Sequence, residues 1–260
     1  MVRQTISLFR YLLLGVVNRR LAILIVILLV LSSLVAGFVS ELAIINSQNM
    51  SAALQADFLR YSLVLVALLL VTSNVAEDYQ SKQFERLLTM PISRWQYIMA
   101  QLLVILTIAT LLSLPVAGML SFATSFDIAL YWAAALWLEL VLVTLIGLLG
   151  ILSLEKIPPA VVFSIAIYLL AKFSAVIDQM LSESVKLSDG SASNRFAQWL
   201  FEGVLHVMPG TGAFAQNNVF FDSSLLSADL LSSQLLTVVI YAAFLVVSCL
   251  VDCYRKEFNL

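Results

Sequence analysis

The chain of 260 residues is 62% hydrophobic and only 12% charged, with a mean hydropathy of +1.01. A soluble domain carries about twice that charged fraction, so the composition excludes a soluble domain and indicates a polytopic membrane protein. The formal net charge of −2 says little, because in a membrane protein the location of charges matters more than their sum. We predict an all-α integral membrane protein with a single transmembrane domain over residues 1–260 and no nucleic-acid partner.

The N-terminal residues 2–18 have the pattern of an amphipathic helix. Ile6, Phe9 and Leu13 repeat at helical spacing between polar positions, which is typical of a helix lying in the membrane interface. An ordinary helical extension of the first span is the alternative interpretation. Residues 21–39 form an uncharged run long enough to span a bilayer. The small residues at 33–37 leave a cleaved signal peptide as a second possibility.

Residues 21–39 and five further apolar runs together predict six membrane spans. The five further runs cover residues 59–76, 95–120, 128–152, 158–177 and 235–251. The polar stretch 41–57 is expected to be an external loop. Arg60 then lies close to the outer end of the second span, where its side chain could extend to the surface. Trp95, Tyr97, Tyr131 and Trp132 lie at span ends, which is the position of interfacial anchors.

The basic residues predict the orientation. With both termini cytoplasmic, the inner segments contain ten of the fourteen lysines and arginines. Such a bias is the usual signature of the cytoplasmic side. It places residues 77–94 inside the cell and the long polar segment 178–233 outside. Within that outer segment, residues 196–207 have the pattern of a short amphipathic helix.

Residues 77–94, between spans two and three, have the pattern of a short surface helix. Phe84, Leu87 and Leu88 lie on one helical face, and charged residues occupy the other. Pro91 ends the helix before the chain returns to the membrane at Arg94. A short helix of this kind suits binding by a soluble partner.

The same stretch carries a specific motif. It begins with Glu77-Asp78 and ends with Glu85-Arg86-Leu87-Leu88-Thr89-Met90-Pro91-Ile92-Ser93-Arg94. In this the chain resembles the permease subunits of type-2 ABC exporters (ABC-2, type V fold). Their first cytoplasmic loop starts with acidic residues and ends in a leu-leu-x-x-pro-x-x-arg turn. The family's usual Gly-Thr is replaced here by Gln83-Phe84.

The resemblance implies that two such chains, or this chain and a homologous permease, form the membrane core of a transporter in the plasma (bacterial inner) membrane. Two copies of a separate ATPase would bind the cytoplasmic face and hold the ATP and magnesium. This chain has no P-loop of its own, so ATP hydrolysis is expected on that partner and this chain is not expected to be catalytic by itself. The segment 178–233 would re-enter the outer leaflet and cover the exit. The ATPase-coupling residues implied are Glu77, Asp78, Phe84, Glu85, Arg86, Leu87, Leu88, Pro91 and Arg94.

Two ionisable residues fall inside predicted spans. A carboxylate at mid-bilayer costs about 2.5–3.5 kcal/mol, so Glu139 must be protonated, paired or facing water. It could line or gate a conduit, or it could be a neutral acid bonded to a serine or threonine. Lys172 could pair with Glu139. From the predicted span bounds, however, Lys172 lies closer to the outer membrane surface than Glu139 does, so its side chain could also extend outward.

No metal site is expected. His206 is the only histidine, and Cys249 and Cys253 lie one helical turn apart without a visible third ligand. An intramembrane enzyme would need a nucleophile and a base within the spans, and none is found. The functional alternatives are a non-transporting mechanotransmission or assembly subunit of an ABC complex and an ion-coupled secondary transporter.

Overall fold

A computed structural model describes residues 2–17, 21–42, 47–80, 94–187, 214, 217–221 and 228–255. These residues form α-helices, one short 3₁₀ helix and no strand. The α-helices are α1 (Val2–Val17), α2 (Leu21–Leu42), α3 (Ser47–Gln80), α4 (Arg94–Ala123), α5 (Phe126–Leu154), α6 (Ile157–Leu187) and α7 (Ala228–Arg255). The 3₁₀ helix covers Asn217–Phe220.

Four of these helices contain stretches long and apolar enough to cross a membrane. The stretches are Asn49–Glu77 in α3, Arg94–Ala123 in α4, Phe126–Leu154 in α5 and Asp229–Arg255 in α7. Helices α1, α2 and α6 hold shorter apolar segments. The prediction of an all-helical, membrane-type chain is confirmed for the described residues, and the number of six spans remains a prediction.

Helix α5 is the centre of the bundle. It packs against α3, α4, α6 and α7. In its apolar 18-residue stretch, 89% of the residues are buried inside the protein. The sequence explains this position, because a helix that is apolar on every side is stable where other helices surround it. In the apolar 18-residue stretch of α7, by contrast, only 17% of the residues are buried.

Tight turns define the two ends of the bundle. The turn between α4 and α5 marks one end, which we call the cap end, and the turn between α5 and α6 marks the base end. At the base end Glu155 adopts a left-handed conformation with φ 60°, and its N–H donates to the Ile151 carbonyl. Pro158 and Pro159 lie in the first turn of α6, where a missing N–H costs no helical hydrogen bond.

One local prediction is wrong. Residues 47–57 are helical and not a loop, because α3 begins at Ser47. Ala52 and Ala56 on this extra length are fully buried, so packing outweighs the polar composition. In α1 the buried face consists of Leu8 and Leu12, whereas Ile6 is exposed. An apolar stripe does not distinguish a face that packs on protein from one that meets lipid.

Candidate functional site

A fully buried carboxylate on the central helix is surrounded by three donors. Glu139 has no exposed surface. Its Oε2 accepts a hydrogen bond from Arg60 Nε at 2.8 Å. Its Oε1 lies 2.9 Å from Lys172 Nζ and accepts a hydrogen bond from the Tyr168 hydroxyl at 2.8 Å. We call Arg60, Glu139, Tyr168 and Lys172 the buried charge cluster.

The geometry of the α5–α6 hairpin explains why Glu139 and Lys172 meet. Glu139 lies fifteen residues before Leu154, and Lys172 lies fifteen residues after Ile157. Both are therefore about 22 Å along their helices from the same tight turn. The expectation that Lys172 lies shallower than Glu139 is wrong, because it depended on span bounds and not on distance from the turn.

Arg60 does not extend to the outer surface as its predicted place at a span end suggested. Its side chain is only 6% exposed and pairs with Glu139. The reason is the length of α3: Arg60 is thirteen residues inside the helix and not at its second position. Sequence analysis also missed Tyr168, although its four-residue spacing from Lys172 places both side chains on one face of α6.

The charges of the buried charge cluster are balanced within the protein. Asp57, one turn before Arg60 on α3, lies 3.9 Å from Arg60 Nη1. Two cations thus face two carboxylates, and both oxygens of Glu139 are occupied. Buried charges are tolerated in an apolar interior only with such pairing. The partners of Glu139 are two cations and a phenol, not the serine or threonine of the alternative interpretation.

Beyond the buried charge cluster, Arg60 also contacts a short segment that precedes α7 in the chain. Its Nη2 donates to the main-chain carbonyl of Phe214. The Phe214 side chain is buried, as are Val219 and Phe220. The Phe220 ring lies 6.3 Å from that of Trp132, at an interplanar angle of 43°. We call Phe214 and residues 217–221 the cap.

This contact places Trp132 in the interior of the protein. Its side chain has no exposed surface, and Tyr131 beside it is buried too. The prediction that the two aromatic residues anchor the membrane interface is therefore wrong. Trp132 instead packs against Phe220 of the cap.

A second set of contacts joins helices at the base end. Arg94, the first residue of α4, donates through Nη1 to the carbonyls of Cys253 at 2.7 Å and Tyr254 at 3.0 Å. Its guanidinium lies 5.4 Å from the centroid of the Tyr254 ring. A cation at a helix C-terminus also interacts favourably with the helix dipole. Nearby, the Ser153 hydroxyl donates to the Asp252 carboxylate. The last turn of α7 is thus tied to both α4 and α5.

The other predicted coupling residues are placed only in part. Glu77 is exposed and belongs, with Asp78, to the end of α3, which continues to Gln80. The rest of the predicted coupling helix and the predicted helix 196–207 lie outside the described residues. The coupling residues concerned are Phe84, Glu85, Arg86, Leu87, Leu88 and Pro91.

The two cysteines are buried on the inner face of α7. Within the part of the chain that the structure describes, no three histidine, cysteine, aspartate or glutamate side chains are grouped as metal ligands would be. His206 lies outside that part.

Comparison with known proteins adds no family assignment: no family model matches the chain, and no curated protein is significantly similar to it. The buried charge cluster and the contacts of Arg94 are the structural basis for a functional proposal.

Proposed function

We propose that the chain is the permease subunit of an ATP-driven ABC exporter, with six spans and both termini in the cytoplasm of a bacterial cell. In this proposal it forms the translocation path with a second permease chain. A separate ATPase binds residues 77–94 and supplies the energy. The chain itself carries out no chemistry.

The observation that carries the proposal is the position of Arg94. It is the last residue of the sequence motif, and its guanidinium holds the carbonyls of Cys253 and Tyr254 at the end of α7. Residues 81–93 are therefore bounded by the end of α3 on one side and by a three-helix junction on the other. A push on this segment would act on α3, α4 and α7 together.

Helix α3 offers a route from the base end to the buried charge cluster. Glu77 and Arg60 lie on the same continuous helix, about 26 Å apart at the α-helical rise per residue. A rigid-body shift of α3 at the base end would move Arg60 relative to Glu139 on α5. The energy for such a shift must come from different contacts of the ATPase in its two nucleotide states.

An ion-coupled secondary transporter is the second candidate, and the buried charge cluster is the observation that favours it. Such transporters use ionisable groups inside the membrane to bind the coupling ion. In this structure the donors and acceptors satisfy one another, with both Glu139 oxygens occupied. An entering cation would have to displace Arg60 or Lys172, so we rank this candidate second.

Purification of the tagged chain from solubilised native membranes tests the proposal. We expect a P-loop ATPase to co-purify in stoichiometric amounts and to be lost in the variant Glu85→Lys. Glu41→Lys is the matched control, because Glu41 is an exposed acid near the end of α2, at the cap end of the bundle. That variant should retain the ATPase.

Purification of a folded chain without an ATPase would contradict the proposal and favour the secondary transporter. Retention of the ATPase by Glu85→Lys would refute the coupling role of residues 77–94. Loss of the ATPase in both variants would mean that charge reversal acts nonspecifically, and would also count against that role.

A further inference from the structure

We infer that Arg60 is a lock that holds the cap against helices α3 and α5. The inference goes beyond the proposed function, because it concerns contacts within one chain and holds for any energy source. Movement of the cap away from these helices would require the guanidinium to release the Phe214 carbonyl.

The shape of the arginine side chain makes this double role possible. Its guanidinium is planar and presents donors in a fixed fork. Nε points to Glu139 at 2.8 Å, while Nη2 points to the main-chain carbonyl of Phe214. The hydrogen bond to Glu139 therefore orients the guanidinium, and in this orientation Nη2 reaches the cap.

Glu139 in turn is held by Lys172 and Tyr168 of α6. Three helices, α3, α5 and α6, thus determine where Arg60 points. If α3 and α5 shift relative to each other, the fork turns and the contact with Phe214 is lost. The cap would then be linked to helix movement by one side chain.

Apolar contacts also hold the described residues of the cap. Phe214, Val219 and Phe220 are buried, and Phe220 packs at 6.3 Å on Trp132. Apolar contacts are non-directional, so they tolerate small shifts of the helices. The hydrogen bond from Arg60 is charge-assisted and directional, and such bonds are about twice as strong as neutral ones. Unlike the apolar contacts, this bond therefore depends on helix orientation.

Cysteine labelling of the purified chain tests the lock without any partner or nucleotide. Val219→Cys places a thiol of similar size at a buried cap position. Cys249 and Cys253, both buried on α7, remain as internal reporters of general loosening. The rate of maleimide labelling at each cysteine is followed by mass spectrometry of peptides.

In the Val219→Cys background we expect Arg60→Lys to raise labelling at position 219 about tenfold, the effect of losing one charge-assisted hydrogen bond. Labelling of Cys249 and Cys253 should stay unchanged. Lys172→Gln is the matched control: it removes a cation bound to Glu139, but the Tyr168 hydroxyl still holds Oε1 of Glu139 and Arg60 keeps both of its own hydrogen bonds. It should change labelling at position 219 less than about twofold.

An unchanged rate at position 219 in Arg60→Lys would overturn the inference. So would an equal rise in Lys172→Gln, or a parallel rise at Cys249 and Cys253, because either would indicate general loosening. Trp132→Phe provides a test that leaves Arg60 intact. Cap protection should persist in that variant, and its loss would show that ring packing, not Arg60, holds the cap.

Discussion

Replacement of Glu139 by glutamine is the most direct test of the buried charge cluster. Glutamine is nearly isosteric, so the variant removes one negative charge and leaves the packing intact. In the wild type, Arg60 and Lys172 lie 2.8 Å and 2.9 Å from the two carboxylate oxygens, and all three side chains are buried or nearly so. In Glu139→Gln two cations would face one neutral amide.

The loss in the free energy of unfolding distinguishes between two descriptions of the buried charge cluster. If Glu139 contributes only ordinary hydrogen bonds between helices, its loss costs about 0.6 kcal/mol per bond, the average in a membrane protein. If it neutralises two buried cations, removing it leaves uncompensated charge and costs about 3–5 kcal/mol. The full burial of Glu139 leads us to expect the larger value.

Reversible unfolding in mixed detergent–SDS micelles would measure this free energy. The double variant Glu139→Gln/Lys172→Met is the matched control, because it removes one charge of each sign and keeps the balance with Asp57. We expect it to recover a large part of the lost stability. A single variant within about 1 kcal/mol of wild type, or a double variant less stable than both single ones, would refute the reasoning.

Two further predictions concern the base end of the bundle. Arg94→Ala should lower the free energy of unfolding by about 1.5–3 kcal/mol, as expected for lost hydrogen bonds to a charged group. It should also speed hydrogen exchange at the end of α7. Unchanged exchange there would contradict the role of Arg94 in joining α4 to α7. Gly150→Ala should cost about 1–3 kcal/mol, because a Cβ would lie 3.2 Å from both the Ala160 carbonyl oxygen and Ser164 Oγ. Thermal unfolding against Gly118→Ala, whose Cβ would meet nothing within 4 Å, provides the control.

The sequence was sufficient to predict a helical membrane-type chain, because apolar runs of this length have few other solutions. It was not sufficient to predict helix ends. Helix α3 begins at Ser47 within a polar stretch, since the small residues Ala52 and Ala56 allow close packing there. Hydropathy measures transfer to lipid, and it contains no information on packing against protein.

The same limit applies to the candidate site. Charged residues are conspicuous in apolar runs, so the sequence indicates Glu139 and Lys172. For Arg60 the sequence predicts a surface position, because the polar residues before it conceal the start of α3 at Ser47. The contact of Arg60 with Phe214 joins residues 154 positions apart. No periodicity in the sequence can reveal a contact of that range. Arg94 was predicted to face a partner protein, and the structure adds contacts to α7 that the motif did not suggest.

The order of the buried charges along the chain has a consequence for biogenesis. A chain enters the membrane in the order of its synthesis, so α3 with Arg60 is present when α5 brings Glu139. The acid therefore meets a counter-ion already in place, and its entry carries less of the cost of a lone charge in lipid. Lys172 follows on α6, directly after a tight turn, and meets a carboxylate that is already held. Each new charge thus follows an earlier one of opposite sign along the chain, and we expect α3 to favour the insertion of α5.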